Sequence, residues 1–102
     1  MKNYRRFDEL EESYFLNHPE EIDAYINLIF EEYAEDGNTG ALLASLRVLS
    51  RVKGVSKIAG ETGMSRKGIQ KALSENGNPA LSSINAIMHA MGYRLTPQKL
   101  NA

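Results

Sequence analysis

Residues 56–74, SKIAGETGMSRKGIQKALS, carry two short helical patterns separated by a tight turn. Ser56 is placed to cap the first helix, and Ser65 is placed to cap the second. Between them, Gly63 supplies a residue that can adopt the left-handed conformation of a helix stop. The inward positions, which recur at the helical period, are Ile58, Ala59 and Thr62 in the first helix and Ile69, Ala72 and Leu73 in the second. The stretch therefore predicts two helices that cross closely after a short turn.

The spacing of small and aliphatic residues in this stretch matches a recurrent motif. Ala59 offers the small side chain that two steeply crossing helices need where their backbones approach. Gly63 follows four residues later, and Ile69 follows six residues after that. This spacing is typical of the DNA-binding helix-turn-helix.

The second helix carries polar groups on the side away from Ile69 and Leu73. By the helical period, that side holds three cations, an amide, a hydroxyl and no acid, from Arg66, Lys67, Gln70, Lys71 and Ser74. These groups contact base edges and phosphates in a DNA major groove. The alternative is a solvated basic face on an ordinary core helix, but the adjacent turn favours the DNA-binding interpretation.

Charge is divided unevenly along the chain, although the net charge of its 102 residues is only −1. Residues 1–36 hold three cations against eleven acids, a net charge of −8, whereas residues 37–102 hold nine cations against two acids, a net charge of +7. The basic part suits a polyanion, and the acidic part would be repelled by one. The sequence therefore predicts either two partners of opposite charge or one partner and a solvated acidic flank.

Two helices are predicted before the basic part. The apolar face of a short helix over residues 7–15 holds Phe7, Leu10 and Tyr14. A longer helix begins at Pro19, a favoured first residue, and runs to about Glu35. Its apolar band, which is unusually wide, consists of Ile22, Tyr25, Ile26, Leu28, Ile29, Phe30 and Tyr33. Such a band indicates either the domain core, which we favour, or a surface for a second protein.

Two more helices flank the helix-turn-helix. The first, over residues 39–53 with Thr39 as its cap, is striped by Leu42, Leu46, Leu49 and Val52 and is stopped by Gly54. Its cations, which are either solvated or placed beside DNA, are Arg47, Arg51 and Lys53. After an Asn-Gly-Asn-Pro turn, the buried face of the last helix consists of Leu81, Ile84, Ile87, Met88 and Met91, with Gly92 as the stop. Residues 93–96 are expected to form a short strand or a dimer arm.

The sequence offers little for an enzyme, a metal centre or a membrane protein. Without cysteine, the chain has no disulfide, thiol nucleophile or usual zinc-finger ligand set. Its only histidines, His18 and His89, belong to no visible catalytic grouping. The acids of residues 8–36 are spread as on solvated helices, and no apolar run is long enough to span a bilayer. We expect a cytoplasmic, nucleoid-associated protein with no catalytic residue, metal or cofactor.

Several features carry a resemblance to a known family. They are Ser-Arg after Gly63-Met64, KALS at residues 71–74, the Gly-Asn-Pro turn at residues 77–79, and the last helix ending in Gly92. With them, GMSRKGIQKALSENGNPALSSINAIMHAMGYRL resembles the C-terminal half of HigA-type antidote proteins, the antitoxins of bacterial and phage addiction modules. That group belongs to the lambda-repressor-like (XRE) helix-turn-helix class. The resemblance extends over about residues 18–96, because NHPEEIDAYI is similar to the family's opening helix.

The resemblance implies an all-α, lambda-repressor-like helix-turn-helix domain of about five helices. Together with the patterns above, it predicts an N-terminal helical extension and allows a short C-terminal strand. Residues 1–36 would be an acidic extension packed on the DNA-binding domain of residues 37–102, in one globular unit. It also implies a homodimer that binds a palindromic operator in double-stranded DNA and represses its own operon. The second partner would be a small basic RelE-like toxin that cleaves messenger RNA. By position, the residues meeting DNA are Ser65, Arg66, Lys67, Gln70 and Lys71.

Individual roles follow from side-chain chemistry. We expect Arg66 and Gln70 to read bases, since Arg suits guanine and Gln suits adenine. The residues expected to hold phosphates and set the register are Ser65, Lys67, Lys71 and Lys57. Ser74 completes the polar side of the helix.

Three positions depart from the family pattern. Gly60 and Gly68 lie inside the two motif helices, where each costs up to ~1 kcal/mol relative to Ala, and Ala80 lacks a capping hydroxyl. Gly68 either permits close approach to DNA or records relaxed binding. The alternatives are a stand-alone phage-type regulator without a toxin and a protein-interaction domain that has lost DNA binding.

Overall fold

The computed structural model describes the backbone of residues 4–100 and the side chains of residues 8–100. Its elements are α1 (Tyr4–Asn17), a 3-10 helix (Pro19–Glu21), α2 (Ile22–Asp36), α3 (Thr39–Lys53), α4 (Val55–Thr62), α5 (Arg66–Ala72) and α6 (Leu81–Ala90). The all-α prediction is confirmed for the described residues, with six α-helices rather than about five. No helix within residues 4–100 is long and apolar enough to cross a membrane.

The predicted C-terminal strand is not formed. Residues 93–100 contain no regular element, and residues 4–100 contain no strand at all. A lone extended segment has no neighbouring strand to share hydrogen bonds with, so an alternating pattern by itself produces none.

One cluster of buried apolar side chains joins all six helices, with α3 at its centre. The members that are at most 2% exposed are Leu43, Leu46, Leu49, Ile58, Ile69, Leu73, Ile87 and Met88. Burying each such side chain contributes roughly 1.5–3 kcal/mol. Because the cluster takes residues from every helix, the shorter helices are held in place by the longer ones.

The face of α1 that contacts the core differs from the predicted one. Phe15 is buried and its ring lies 4.7 Å from that of Tyr25, whereas Leu10 and Tyr14 are exposed. Tyr14 instead donates a hydrogen bond to Glu21 across the junction with the 3-10 helix. The predicted inward position of Phe7 lies outside the residues whose side chains are described. Neighbouring aromatics at residues 14 and 15 could each have faced inward, and packing against α2 selected the second.

The buried face of α2 is narrower than the wide band suggested. Ile22, Ile26 and Ile29 are buried, while Leu28 and Tyr33 are 47% and 37% exposed. This spacing is that of a single helix face. One side of α2 therefore belongs to the core, and Tyr25 and Phe30 pack against it partly buried.

Two predicted N-caps are shifted by one or two residues. Asn38 caps α3 in place of Thr39, and its side chain accepts a hydrogen bond from the Ala41 N–H at 3.1 Å. Gly54, not Ser56, precedes α4; its φ of 107° ends α3 and lets α4 begin at the next residue. A single left-handed glycine thus replaces a separate stop and cap.

The predicted face of α6 is confirmed except at its first residue. Ile87, Met88 and Met91 are buried, but Leu81 is 76% exposed. Side chains lean towards the N-terminus of a helix, so that of a first residue extends beyond the helix end. Gly92 ends α6 with a φ of 98°, as predicted.

Candidate nucleic-acid interface

The turn between α4 and α5 has the local structure that the sequence predicts. Gly63 ends α4 in the left-handed conformation, with φ of 78°, and its N–H donates to the Ala59 carbonyl at 3.0 Å. Ser65 is extended and caps α5, its Oγ accepting from the Gly68 N–H at 2.9 Å. The Met64 N–H donates to Oγ1 of Thr62 at 3.1 Å. Three residues therefore separate α4 from α5, and backbone groups at the end of α4 and at the start of α5 have hydrogen-bond partners.

The inner faces of α4 and α5 fix the direction of both helices. Ile58 in α4, Ile69 in α5 and Leu73 directly after α5 are core residues that are all 0% exposed, and Ala59 is partly buried against the same core. With only seven residues, α5 is far too short to be stable alone in water. Its orientation is therefore set by these buried contacts.

The outer face of α5 is exposed and cationic. Arg66, Lys67, Gln70 and Lys71 are all exposed. Within residues 8–100, none of these three cations takes part in an ion pair. Arg66 and Gln70 lie one helical turn apart, as do Lys67 and Lys71, so each pair projects from one strip of the helix.

The three other predicted site residues are placed differently. The Ser65 hydroxyl is engaged as the cap of α5. Ser74 follows α5, and its Oγ donates to the Lys71 carbonyl at 2.8 Å, so it serves the helix end. Lys57 is exposed on α4, outside the strip of cations on α5. The structure brings four of the seven predicted residues onto one helix face and places the other three around it.

The two unusual glycines have different surroundings. A Cβ on Gly60 would meet no atom within 4 Å, whereas one on Gly68 would lie 3.0 Å from the capping Oγ of Ser65. Gly68 therefore gives the cap room, and Gly60 has no steric role within the described residues.

A third glycine, which the sequence analysis placed only in a turn, supports the end of α5. A Cβ on Gly77 would lie 2.7 Å from the Ala72 carbonyl oxygen and 3.0 Å from those of Lys71 and Ser74. The backbone of Gly77 thus packs directly on the last carbonyls of α5. The Asn-Gly-Asn-Pro sequence signalled the turn but not this close approach.

Arg47 and Arg51 are not freely solvated, because both interact with acids of α1. Their placement beside DNA stays a prediction. Arg47 donates from Nη1 to the Leu73 carbonyl at 3.0 Å and from Nη2 to Asp8 at 3.1 Å. Arg51 lies 3.9 Å from Asp8 and 3.7 Å from Glu12. The signal in the sequence was the repeat of two acids in α1 and two arginines in α3, each pair four residues apart.

Tertiary contacts also raise the pKa values of two side chains, Glu11 and Tyr93. Burial, together with the nearby charge of Asp8, raises the pKa of Glu11 above its ordinary value. Burial also raises the pKa of Tyr93, whose hydroxyl donates to Asp23. Within residues 8–100, no group of three or more His, Asp and Glu side chains is arranged to hold a metal ion.

Comparisons with known proteins agree over nearly the whole chain. Residues 4–99 match the model of a family described as probable addiction module antidote proteins. The chain is also similar to an uncharacterised protein of Haemophilus influenzae, with 34% identity over 84 residues that cover 82% of each chain. No solved structure matches significantly. An exposed cationic helix thus occurs in a chain that belongs to the family of probable addiction module antidote proteins, which implies a cognate toxin as its partner.

Proposed function

We propose that this antidote protein binds operator DNA as a homodimer and represses its own operon, while neutralising a small basic RelE-like toxin that cleaves messenger RNA. In this proposal α4 and α5 form the helix-turn-helix of a HigA-type, lambda-repressor-like domain over residues 37–102. Residues 1–36 form an acidic extension packed on that domain. Neither partner involves a cofactor.

The observation that carries the DNA-binding proposal is the outer face of α5. Its three cations and one amide are exposed, no acid lies on the helix, and no described acid neutralises the cations. A structural helix in a protein with a net charge of −1 has no need of such a face. A polyanion that accepts a helix in its major groove fits it.

Within that groove, we assign Arg66 and Gln70 to base edges, because they share one strip at the first turn and a half of α5. Lys67 and Lys71 share the neighbouring strip and contact phosphates. Lys57 reaches a phosphate from α4. The Ser65 hydroxyl is engaged within the helix cap, and with Ser74 it borders the contacting face.

The test compares two substitutions on a duplex from the gene's own upstream region, by fluorescence anisotropy over a salt series. Gln70→Ala should lower the affinity for the operator by about 1–3 kcal/mol. It should also change which base is preferred at one position of the operator. Lys71→Ala should weaken all sequences alike and reduce the salt slope by about one. Equal losses on matched and mismatched sites for Gln70→Ala would refute the base-reading role.

The exposed acidic side chains of α2 support the proposed toxin interaction. Glu31, Glu32 and Glu35 are exposed on α2, close to the exposed apolar side chains of Leu28 and Tyr33 in the same helix. Exposed acids mixed with apolar groups suit a basic protein partner, because charge steers the encounter and apolar contact holds it.

Neutralising these three acids to glutamine should slow toxin association at low salt. DNA affinity should rise slightly and equally for operator and random duplexes, because the protein becomes less negative. The matched control is Glu9→Gln with Glu61→Gln and Glu75→Gln, which removes three exposed acids outside α2. An equal effect of the control on toxin association would show that only total charge matters. Unchanged toxin kinetics in both variants would remove α2 from the interface.

A further inference from the structure

Arg47 connects two parts of the molecule that are distant in sequence. Its guanidinium, in the middle of α3, donates to the carbonyl oxygen of Leu73 and to the carboxylate of Asp8, which is 39 residues away. Leu73 is the C-cap of α5. One side chain therefore joins α1 to the end of the helix that carries the cationic face.

Both contacts are strong for a group at a protein surface. The side chains of Arg47 and Asp8 are only 21% and 16% exposed, so water screens their attraction weakly. The last carbonyls of a helix have no partner within it and carry the negative end of its dipole. Arg47 supplies a cation and a donor to one of these carbonyls.

Asp8 determines how Arg47 is held. A planar guanidinium that donates to two acceptors is fixed in orientation, whereas one with a single acceptor can rotate. Arg51, one turn further along α3, interacts with the same carboxylate and with Glu12. The acids of α1 thus pair with both arginines, and Asp8 keeps Arg47 directed at α5.

We propose that Arg47 is a positioning residue for DNA recognition, which sets the end of α5 from α3 and is itself oriented by Asp8 of α1. This inference rests on the proposed DNA binding by α5. A partner that binds the exposed side of α1 and displaces Asp8 would then lower operator affinity without touching α5. The acidic segment would therefore regulate the DNA-binding face as well as repel DNA.

The direction in which one substitution changes DNA affinity distinguishes this positioning role from a simple effect of charge. Removing an acid should raise affinity for any DNA, because the protein becomes less negative. Glu9→Gln, an exposed neighbour on α1, is expected to do so slightly for operator and random duplexes alike. Asp8→Asn makes the same change in charge, yet we expect it to lower operator affinity at least about fivefold while leaving random-DNA affinity unchanged or raised.

Two more variants complete the experiment. Asp8→Glu keeps the carboxylate and should retain the operator preference. Arg47→Lys keeps the charge but not the bidentate donor, so it should lose the preference for operator DNA as Asp8→Asn does. If circular dichroism shows that Asp8→Asn does not fold, Arg47→Lys serves as the test instead.

The outcomes distinguish the two proposals. If Asp8→Asn raises operator affinity as much as Glu9→Gln does, Asp8 is only a screening charge and the positioning role is wrong. If the wild-type chain shows no operator preference, the proposed DNA binding fails, and this inference fails with it.

Discussion

The backbone contact of Gly77 with the end of α5 makes a quantitative prediction for stability. A Cβ introduced by Gly77→Ala would lie 2.7 Å from one carbonyl oxygen and 3.0 Å from two others, all of them backbone atoms. These atoms cannot rotate away, and moving Gly77 outwards would stretch its N–H hydrogen bond to Ser74, now 2.8 Å. Overpacking of this kind costs roughly 1–3 kcal/mol, and the rigidity of the obstacle favours the upper half of that range.

The matched control is a glycine-to-alanine substitution at a position that has space for the added Cβ. Gly60 lies in α4 with helical backbone and no atom within 4 Å of an added Cβ. Gly60→Ala should therefore stabilise the protein by up to ~1 kcal/mol, the difference in helix propensity. The two glycine-to-alanine variants should differ by about 3 kcal/mol in the free energy of unfolding.

Urea unfolding followed by circular dichroism measures both values. In thermal unfolding, Gly77→Ala should lower Tm by roughly 8–24 °C and Gly60→Ala should raise it by at most about 4–8 °C. A Gly77→Ala variant within ~0.5 kcal/mol of wild type would show that the turn relaxes freely, and would refute the steric argument. Because the strained carbonyls end α5, the same variant should also discriminate less well between operator and random DNA.

Three other predictions test the fold. Ser65→Ala should cost about 1 kcal/mol through loss of the α5 cap, whereas Ser82→Ala, at an exposed position of α6, should change urea stability little. Ile87→Ala should cost about 2–5 kcal/mol, and Leu81→Ala less than ~0.5 kcal/mol; similar losses would contradict their assigned burial. The folded protein raises the pKa of Tyr93, so with rising pH this tyrosine ionises first in the unfolded state. The contribution of Tyr93 to the stability of the folded protein is therefore complete below pH 10.0 and is lost as pH rises further. Tyr93→Phe should show a shallower fall in Tm above that pH, and an identical fall would exclude this contribution.

The local structure of the α4–α5 region follows from sequence because its determinants are local. Gly63 can adopt a positive φ, Ser65 can cap the next turn, and Ile69 and Leu73 repeat at the helical period. Each of these depends on neighbours within four residues. The same reasoning placed the exposed cations on the outer face of α5, although which of them contact DNA is still a proposal.

Cap positions were less predictable where two capable residues lie within two positions of each other. Asn38 and Thr39 both carry an oxygen acceptor, and either residue would satisfy the first turn of α3. Gly54 and Ser56 also compete, because a left-handed glycine can end one helix and begin the next. Packing of the connected helices, which acts over longer distances, decides between such options.

The sequence by itself determined the approximate extents of the helices, the inward positions of α3 to α5, the turn before α5 and the division of charge between the two parts of the chain. Only the tertiary structure decided what the cations of α3 do. Arg47 meets an acid 39 positions earlier and a carbonyl 26 positions later, and no local pattern specifies such partners. The packing of α1 and α4 on α3, and of α5 on α4, brings those groups within hydrogen-bonding distance. Periodicity shows which side of a helix is polar, but the identity of its partner depends on the arrangement of the whole chain.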